Sequence, residues 1–187
     1  MQKYEKIRIG EALFLDRDGV INRRIDGGYV SKTEELEMLP HSAESIARLS
    51  KHFRYIFVVT NQQGIGKGLM SENDLAAIHA KMVSEIEKVG GRIDKIYHCP
   101  SLKEAHDFLR KPNIGMALKA RHDYPDLRLK SCVMIGDAAT DMMFGRRAGM
   151  QTILVGEWPE IAQQNPTLVD FYFPTLHEVA EAVERQK

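Results

Sequence analysis

At 187 residues the chain suits one domain with a sizeable core. Lysine plus arginine equals aspartate plus glutamate at 26 each, so no basic field points to a nucleic-acid partner. Two cysteines do not make a disulfide framework, no apolar stretch reaches membrane-span length, and the opening MQKYEKIRIGEA has no signal-peptide core, so a cytoplasmic location is expected.

The first element is the apolar run Ala12 to Leu15, whose lack of alternation predicts a strand buried on both faces. It stops in Asp16-Arg17-Asp18-Gly19, two carboxylates one residue apart followed by a glycine that permits a sharp turn. Paired carboxylates at the mouth of a buried strand repel each other and are costly to desolvate. A metal cation, a phosphoryl group or both would account for them; a solvated turn would equally satisfy a lone Asp-x-Asp-Gly.

Asn22 to Glu35, with Arg23, Arg24, Gly27, Gly28 and Tyr29, reads as an irregular flap over the strand ends. A short helix is expected after Pro40, with Ile46, Leu49 and Phe53 at helical spacing. Tyr55 to Val59 predicts a second buried strand, which delivers Thr60-Asn61-Gln62-Gln63-Gly64 at its carboxyl end. The run Gly64 to Gly68 lacks the length of a nucleotide-phosphate loop and the hydroxyl residue after its lysine, and reads as a flexible connection. Ser71 and Asp74 form a capping-box-like start to a helix with the stripe Leu75, Ile78, Met82, Ile86 and Val89, ended by Gly90-Gly91. Ile93 to Tyr97 predicts a third strand and His98 to Leu109 a loop. Arg110-Lys111-Pro112 closes that loop, with Pro112 suited to the first turn of the next helix. Cys132 to Ile135 predicts a fourth strand ending in Gly136-Asp137-Ala138-Ala139-Thr140-Asp141, and the helix after it stops at Gly149. Gln151 to Val155 and Phe171 to Phe173 predict two short strands, and Thr175 with Glu178 a capping box for the last helix.

Strands alternating with helices argue an α/β class, an open and mainly parallel sheet with helices on both faces, in a single domain over 1–187. Such sheets bind ligands outside the carboxyl ends of their strands. Asp16/Asp18, Thr60/Asn61, Arg110/Lys111 and Asp137/Asp141 all fall at such ends. Asp16, Asp18 and Asp137 offer hard oxygens suited to Mg²⁺. An ionised aspartate can attack phosphorus, and Lys111 with Thr60 can hold the phosphoryl oxygens. Asp18 can protonate the leaving oxygen and later deprotonate water.

The chain resembles the haloacid-dehalogenase-like phosphohydrolases. FLDRDGVIN (Phe14 to Asn22) resembles their first motif, VVTNQQG (Val58 to Gly64) the second, RKP (Arg110 to Pro112) the third and GDAATD (Gly136 to Asp141) the fourth. The wording is most similar to the capless branch containing D,D-heptose 1,7-bisphosphate phosphatase and histidinol-phosphate phosphatase. The resemblance implies a Rossmann-like fold without a cap domain, and Mg²⁺-dependent hydrolysis of a small phosphate ester through an aspartyl-phosphate. The implied substrate is a sugar (bis)phosphate such as D-glycero-D-manno-heptose 1,7-bisphosphate, or alternatively histidinol phosphate. It implies Asp16 as nucleophile, Asp18 as general acid/base, and Thr60 and Lys111 on the phosphoryl group. Asp16, the Asp18 carbonyl and Asp137 would hold the metal, with Asp141 in support. Asn61, Gln62, Arg110, Arg23, Arg24 and Tyr29 are the candidate substrate contacts.

Two positions depart from that branch. Its members often carry a zinc loop with a Cys-x-His and a Cys-x-Cys pair before RKP. Here Cys99 matches the first cysteine, but Ser101 replaces the histidine, and Asp107 and Leu109 replace the second pair. His98, Cys99 and His106 fit no familiar zinc spacing, so zinc is not expected and Leu102, Phe108 and Leu109 are the candidates for packing the loop. Ala138 stands where heptose-bisphosphate enzymes tend to have a lysine. His41, His52, His79, His122 and His177 read as ordinary surface or half-buried residues, and Arg146-Arg147 as complementing a helix dipole. A receiver-type signalling domain would place its phosphoacceptor on a later strand. A non-catalytic binding module on the same fold would be expected to lose Asp16, Asp18, Lys111 or Asp137.

Overall fold

Gly10–Leu15 (β1) runs through the middle of a six-stranded sheet, and its residues alternate between two separate cores. The structure, a computed structural model, describes residues 6–157 and 159–186, so the reading of the opening residues falls in part outside it. Leu13 and Leu15 point to one face, Ala12 and Phe14 to the other, and all four are fully buried. This is why the run shows no polar alternation.

The other strands are Phe53–Asn61 (β2), Lys95–Cys99 (β3), Val133–Gly136 (β4), Gln151–Val155 (β5) and Phe171–Phe173 (β6). Their order is β3-β2-β1-β4-β5-β6, and every pairing is parallel. Parallel neighbours need crossovers, and helices supply them. Ser42–Leu49 (α1), Gln63–Gly66 (α2), Glu72–Lys88 (α3), Gly115–Asp123 (α4), Ala139–Arg147 (α5), Pro159–Gln164 (α6) and Leu176–Glu184 (α7) follow in chain order. One core sets Leu13, Leu15, Ile56 and Ile135 against Ile46 of α1, Ile78 of α3 and Val179 of α7. The other sets Phe14, Phe57 and Met134 against Met116 of α4 and Phe144 of α5. The chain therefore has the Rossmann-like architecture, without a cap domain among the described residues. No helix among them is long and apolar enough to cross a membrane.

Several boundaries differ from the sequence expectation. Phe53 opens β2 rather than closing a helix, because α1 ends at Leu49 and Ser50 Oγ donates back to Ile46 O at 2.7 Å. Its helical spacing is incidental, since strand and helix face the same core. Val89 leaves the α3 stripe and is 43% exposed, because the chain turns away at Gly90. The Ser71–Asp74 capping box is present. The third strand starts at Lys95, since Asp94 pairs with Ile56 through its carboxylate, 2.7 Å from Ile56 N. Gly64 to Gly68 is not a loose connection: Gly64 to Gly66 belong to α2, and Gly66 N donates to Pro100 O at 3.1 Å. Pro112 lies before α4 rather than in its first turn; residues 110–113 form a turn closed by Asn113 N on Arg110 O at 2.8 Å.

Phe14 shows how much rests on β1. Its ring sits 5.2 Å from that of Phe57 and 6.5 Å from that of Phe144. Phe14→Ala should lower unfolding free energy by about 3–5 kcal/mol in denaturant titration. A loss below about 1 kcal/mol would contradict this account of the second core.

Candidate active site

Strand order reverses between β1 and β4, and the crevice outside their carboxyl ends is the favoured ligand position in an open α/β sheet. Asp16 follows β1 and Asp137 follows β4, and Asp16 N donates to Ile135 O at 2.9 Å. Gly19, in the turn after Asp18, has φ +91 and packs against Asp137, where a Cβ would come within 2.0 Å of Oδ2. Only glycine satisfies both the torsion and the space. Asp141 enters from the first turn of α5, with one carboxylate oxygen accepting from Ala138 N at 3.1 Å.

Lys111 joins these acids. It is 3% exposed; its ammonium lies 2.8 Å from Asp16 Oδ1 and 2.6 Å from Asp141 Oδ1, and donates to Val59 O at 2.8 Å. Burial alone would push the ammonium below its ordinary value, but Asp141 and Asp16 outweigh that and hold it above. Asn61 fixes the lysine's backbone, donating to Lys111 O at 3.1 Å and accepting from Lys111 N at 3.0 Å.

One oxygen from each of Asp16, Asp137 and Asp141 lies within 4.8 Å of the others. Burial, followed by the charge of Asp141, raises the Asp16 carboxyl above its ordinary value despite Lys111. Burial, then Asp16 and Asp141, raises Asp137 in the same way. Carboxylates that resist ionisation together, and that offer only hard oxygen donors, fit a divalent cation such as Mg²⁺.

Asp18 has the opposite environment. It accepts from Arg17 Nη2 at 2.9 Å, Asn22 Nδ2 at 2.9 Å and Gln62 Nε2 at 2.8 Å. Burial would raise its carboxyl, but the Arg17 guanidinium and these hydrogen bonds prevail and hold it low. Gln62 also donates to Thr60 Oγ1 at 2.8 Å, linking the two positions. His79 Nε2 lies 3.3 Å from Arg17 Nη1; burial, followed by the charge of Arg17, pushes that imidazole down to about 3, so it is neutral and accepts.

The structure thus gathers Asp16, Asp18, Thr60, Lys111 and Asp141 around one recess of about 540 Å³, which Asn61, Arg110, Tyr29 and Arg24 also line. Gln62 does not reach it, being buried beneath Thr60 and Asp18. Arg23 faces a different cavity and pairs with Glu37 at 3.1 Å. Arg24 lies on Asp137 Oδ1 at 2.7 Å. Arg17, Asn22 and His79 are contributors that residue type alone did not single out; the only cue for the first two was their place within FLDRDGVIN. A smaller recess of about 430 Å³ adjoins, lined by Lys103, His106, Arg110 and Asn113.

The loop before Lys111 is held by hydrogen bonds. Ser101 Oγ donates to the Asp107 carboxylate, which also accepts from Leu109 N at 2.8 Å, while Arg110 Nη1 donates to Ser101 O at 3.1 Å. Leu109 packs on the second core, but Phe108 is 59% exposed and packs nothing down, because its carbonyl rather than its ring is used, accepting from Gly115 N. His98 is turned to Glu72, at 2.9 Å.

A HAD-hydrolase-like family model matches residues 108–178. A D-glycero-α-D-manno-heptose-1,7-bisphosphate 7-phosphatase from Campylobacter jejuni is 41% identical over 78% of this chain and 81% of its own. The D-glycero-β-D-manno-heptose-1,7-bisphosphate 7-phosphatase from Vibrio cholerae is 35% identical over 94% of this chain and 97% of its own. Among solved structures, a D,D-heptose 1,7-bisphosphate phosphatase from B. bronchiseptica, complexed with magnesium and phosphate, superposes with a TM-score of 0.86 at 31% identity, covering 95% of this chain and 99% of that one.

The Arg17 clamp makes a measurable claim. Because the folded-state pKa of Asp18 is depressed, the stability it contributes is present above the ordinary carboxylate value and is lost as pH falls through the depressed one. Arg17→Met should raise the Asp18 pKa in a ¹³C carboxyl titration, flatten that acid limb, and cost about 3 kcal/mol or more at neutral pH, since it breaks a buried pair. An unmoved Asp18 titration would show that Asn22 and Gln62 suffice.

Proposed function

From membership of the haloacid-dehalogenase-like hydrolases, to which this chain belongs as a phosphatase, we propose that it removes the 7-phosphate of D-glycero-D-manno-heptose 1,7-bisphosphate. The observation that carries the reading is Asp16 at the floor of the 540 Å³ recess, sharing Lys111 with Asp141 and an oxygen cluster with Asp137. In this reading the Asp16 carboxylate attacks phosphorus as the bond to the leaving alkoxide breaks, giving an aspartyl-phosphate on Asp16. Asp18 supplies the proton to that oxygen, then takes one from the water that attacks the aspartyl-phosphate. Held by Arg17, Asn22 and Gln62 it is ionised and set for the second step, so the first requires its carboxyl to leave the Arg17 fork and pick up a proton. Lys111 and Thr60 hold the equatorial oxygens.

Mg²⁺ is the proposed cofactor, with Asp16, the Asp18 carbonyl and Asp137 as its ligands. When bound it supplies charge neutralisation between nucleophile and phosphate. The oxygen-only cluster and the magnesium in the B. bronchiseptica structure support this. Zinc has no part in the proposal, because Ser101 and Asp107 are bonded to each other.

The second phosphate is assigned to the adjoining recess, where Arg110, Lys103 and His106 offer the basic groups. The α anomer is the proposed form, in line with the 41% identical C. jejuni relative.

Phosphate release from both anomers tests the substrate. Turnover should need Mg²⁺ and favour the α anomer, and equal rates on unrelated phosphate esters would refute the assignment. Asp16→Asn should lose at least about a thousandfold in kcat with the fold intact. Lys111→Ala should lose about a hundredfold or more in kcat rather than raise KM, since its charge acts as charge redistributes. Elemental analysis should find no stoichiometric zinc, and one zinc per chain would overturn that part.

A further inference from the structure

Arg24 lies where a guanidinium is not needed for packing. Its side chain is 47% exposed, yet Nη2 sits 2.7 Å from Asp137 Oδ1 and 3.4 Å from Asp18 O. Asp137 and the Asp18 carbonyl are two of the ligands assigned above to the divalent cation. Asp16, Asp137 and Asp141, when ionised, stand against the single ammonium of Lys111 and leave two negative charges uncompensated. Arg24 cancels one of them, and a divalent ion cancels both.

We infer that Arg24 is a tethered competitor for the cation site: its guanidinium and Mg²⁺ bind Asp137 and the Asp18 carbonyl in alternation. The inference rests on the reading of those atoms as metal ligands. The local geometry allows the exchange. Just before Arg24 the backbone is anchored, with Arg23 N donating to Glu37 O at 2.8 Å and Asn22 Nδ2 to Arg23 O at 2.9 Å. Only the long side chain has to move. Arg24 lines both the 540 Å³ recess and a cavity of about 720 Å³ beyond Asp137, so a displaced guanidinium has open space on either side. Neighbouring Arg23 carries the same charge but is paired with Glu37, away from Asp137. An ion pair this exposed at one end is weak enough to be displaced, yet strong enough to shift a competing equilibrium severalfold.

Calorimetric titration of Mg²⁺ into the protein without substrate tests this. Arg24→Gln should bind Mg²⁺ about threefold to tenfold more tightly than wild type, whereas Arg23→Gln, which removes the same charge one residue away, should stay within about twofold. Arg24→Gln should also show the larger rise in Tm on adding Mg²⁺ to EDTA-treated protein. Unchanged or weaker binding by Arg24→Gln, with wild type binding normally, overturns the competition and leaves the phosphatase reading intact. An equal gain in Arg23→Gln overturns it too, since that gain would reflect the general field alone. If neither wild type nor Arg24→Gln binds Mg²⁺, the competition falls together with the metal assignment.

Discussion

The ammonium of Lys111 is the point on which the sheet edge and the geometry of the acid cluster both depend. A buried ammonium is tolerated only with its donors paired, and here the partners come from three different strand ends. Asp16 follows β1, Val59 O belongs to β2, and Asp141 stands behind β4. The lysine arrives from the crossover after β3, with its backbone held by Asn61. Any slip of one strand against another would strand either the cation or two acids, so this contact selects the register that also builds the recess. The same pairing keeps Asp16 close to a positive charge without exposing that charge to bulk water, where it would be screened.

Two carboxylates one residue apart are pushed in opposite directions. Asp16 is raised by burial and then by neighbouring acids; Asp18, though also buried, faces Arg17, Asn22 and Gln62 and is held low. Divergent environments of this kind are how one fold assigns different duties to chemically identical groups. Arg17, fully buried and backed by a neutral His79, is a fixed counter-charge. Its partner in sequence, Arg24, is long, half in water and bound at one end only. The two arginines thus differ in kind: one holds the Asp18 carboxyl low, and the other balances the charge of Asp137 from the solvent side.

Much of this was legible in the sequence. The unbroken apolar run of β1, the polar clusters closing β1, β2 and β4, and the Ser71 cap each have a local cause that survives in the fold. What was not legible depends on partners distant in sequence. Arg17 is not singled out between its two aspartates, and only the Asp18 fork and His79, 62 positions away, explain its burial. Gln62 was a candidate substrate contact, but at the junction of β2 and α2 its amide is spent on Asp18 and Thr60. Phe53 satisfied a helical period because α1 and β2 serve one core, a degeneracy that spacing cannot resolve. Phe108 was a candidate for packing the loop, whereas its backbone, not its ring, is what the loop uses.

The loop before Lys111 shows how a surface can vary while that lysine stays in place. Cys99 is buried within the β3 ladder, and beyond it Ser101 and Asp107 close the loop on itself. Hydrogen bonds from Ser101 and Leu109 N hold the Asp107 carboxyl below its ordinary value, so it remains an acceptor throughout the neutral range. Each such bond contributes only about 1 kcal/mol net, far less than a structural metal would. Their placement matters more than their strength, because they tie residue 101 to residues 107–110, and Asn113 Nδ2 adds a bond to Asp107 O at 3.0 Å. Arg110 and Lys111 therefore leave the loop from a fixed base. The tip, Lys103–Ala105 with His106 after it, takes no part in that stitching and supplies two basic side chains to the smaller recess. Substitutions at the tip can reshape that recess without moving Lys111, which on the proposed function would separate substrate choice from the chemistry at Asp16.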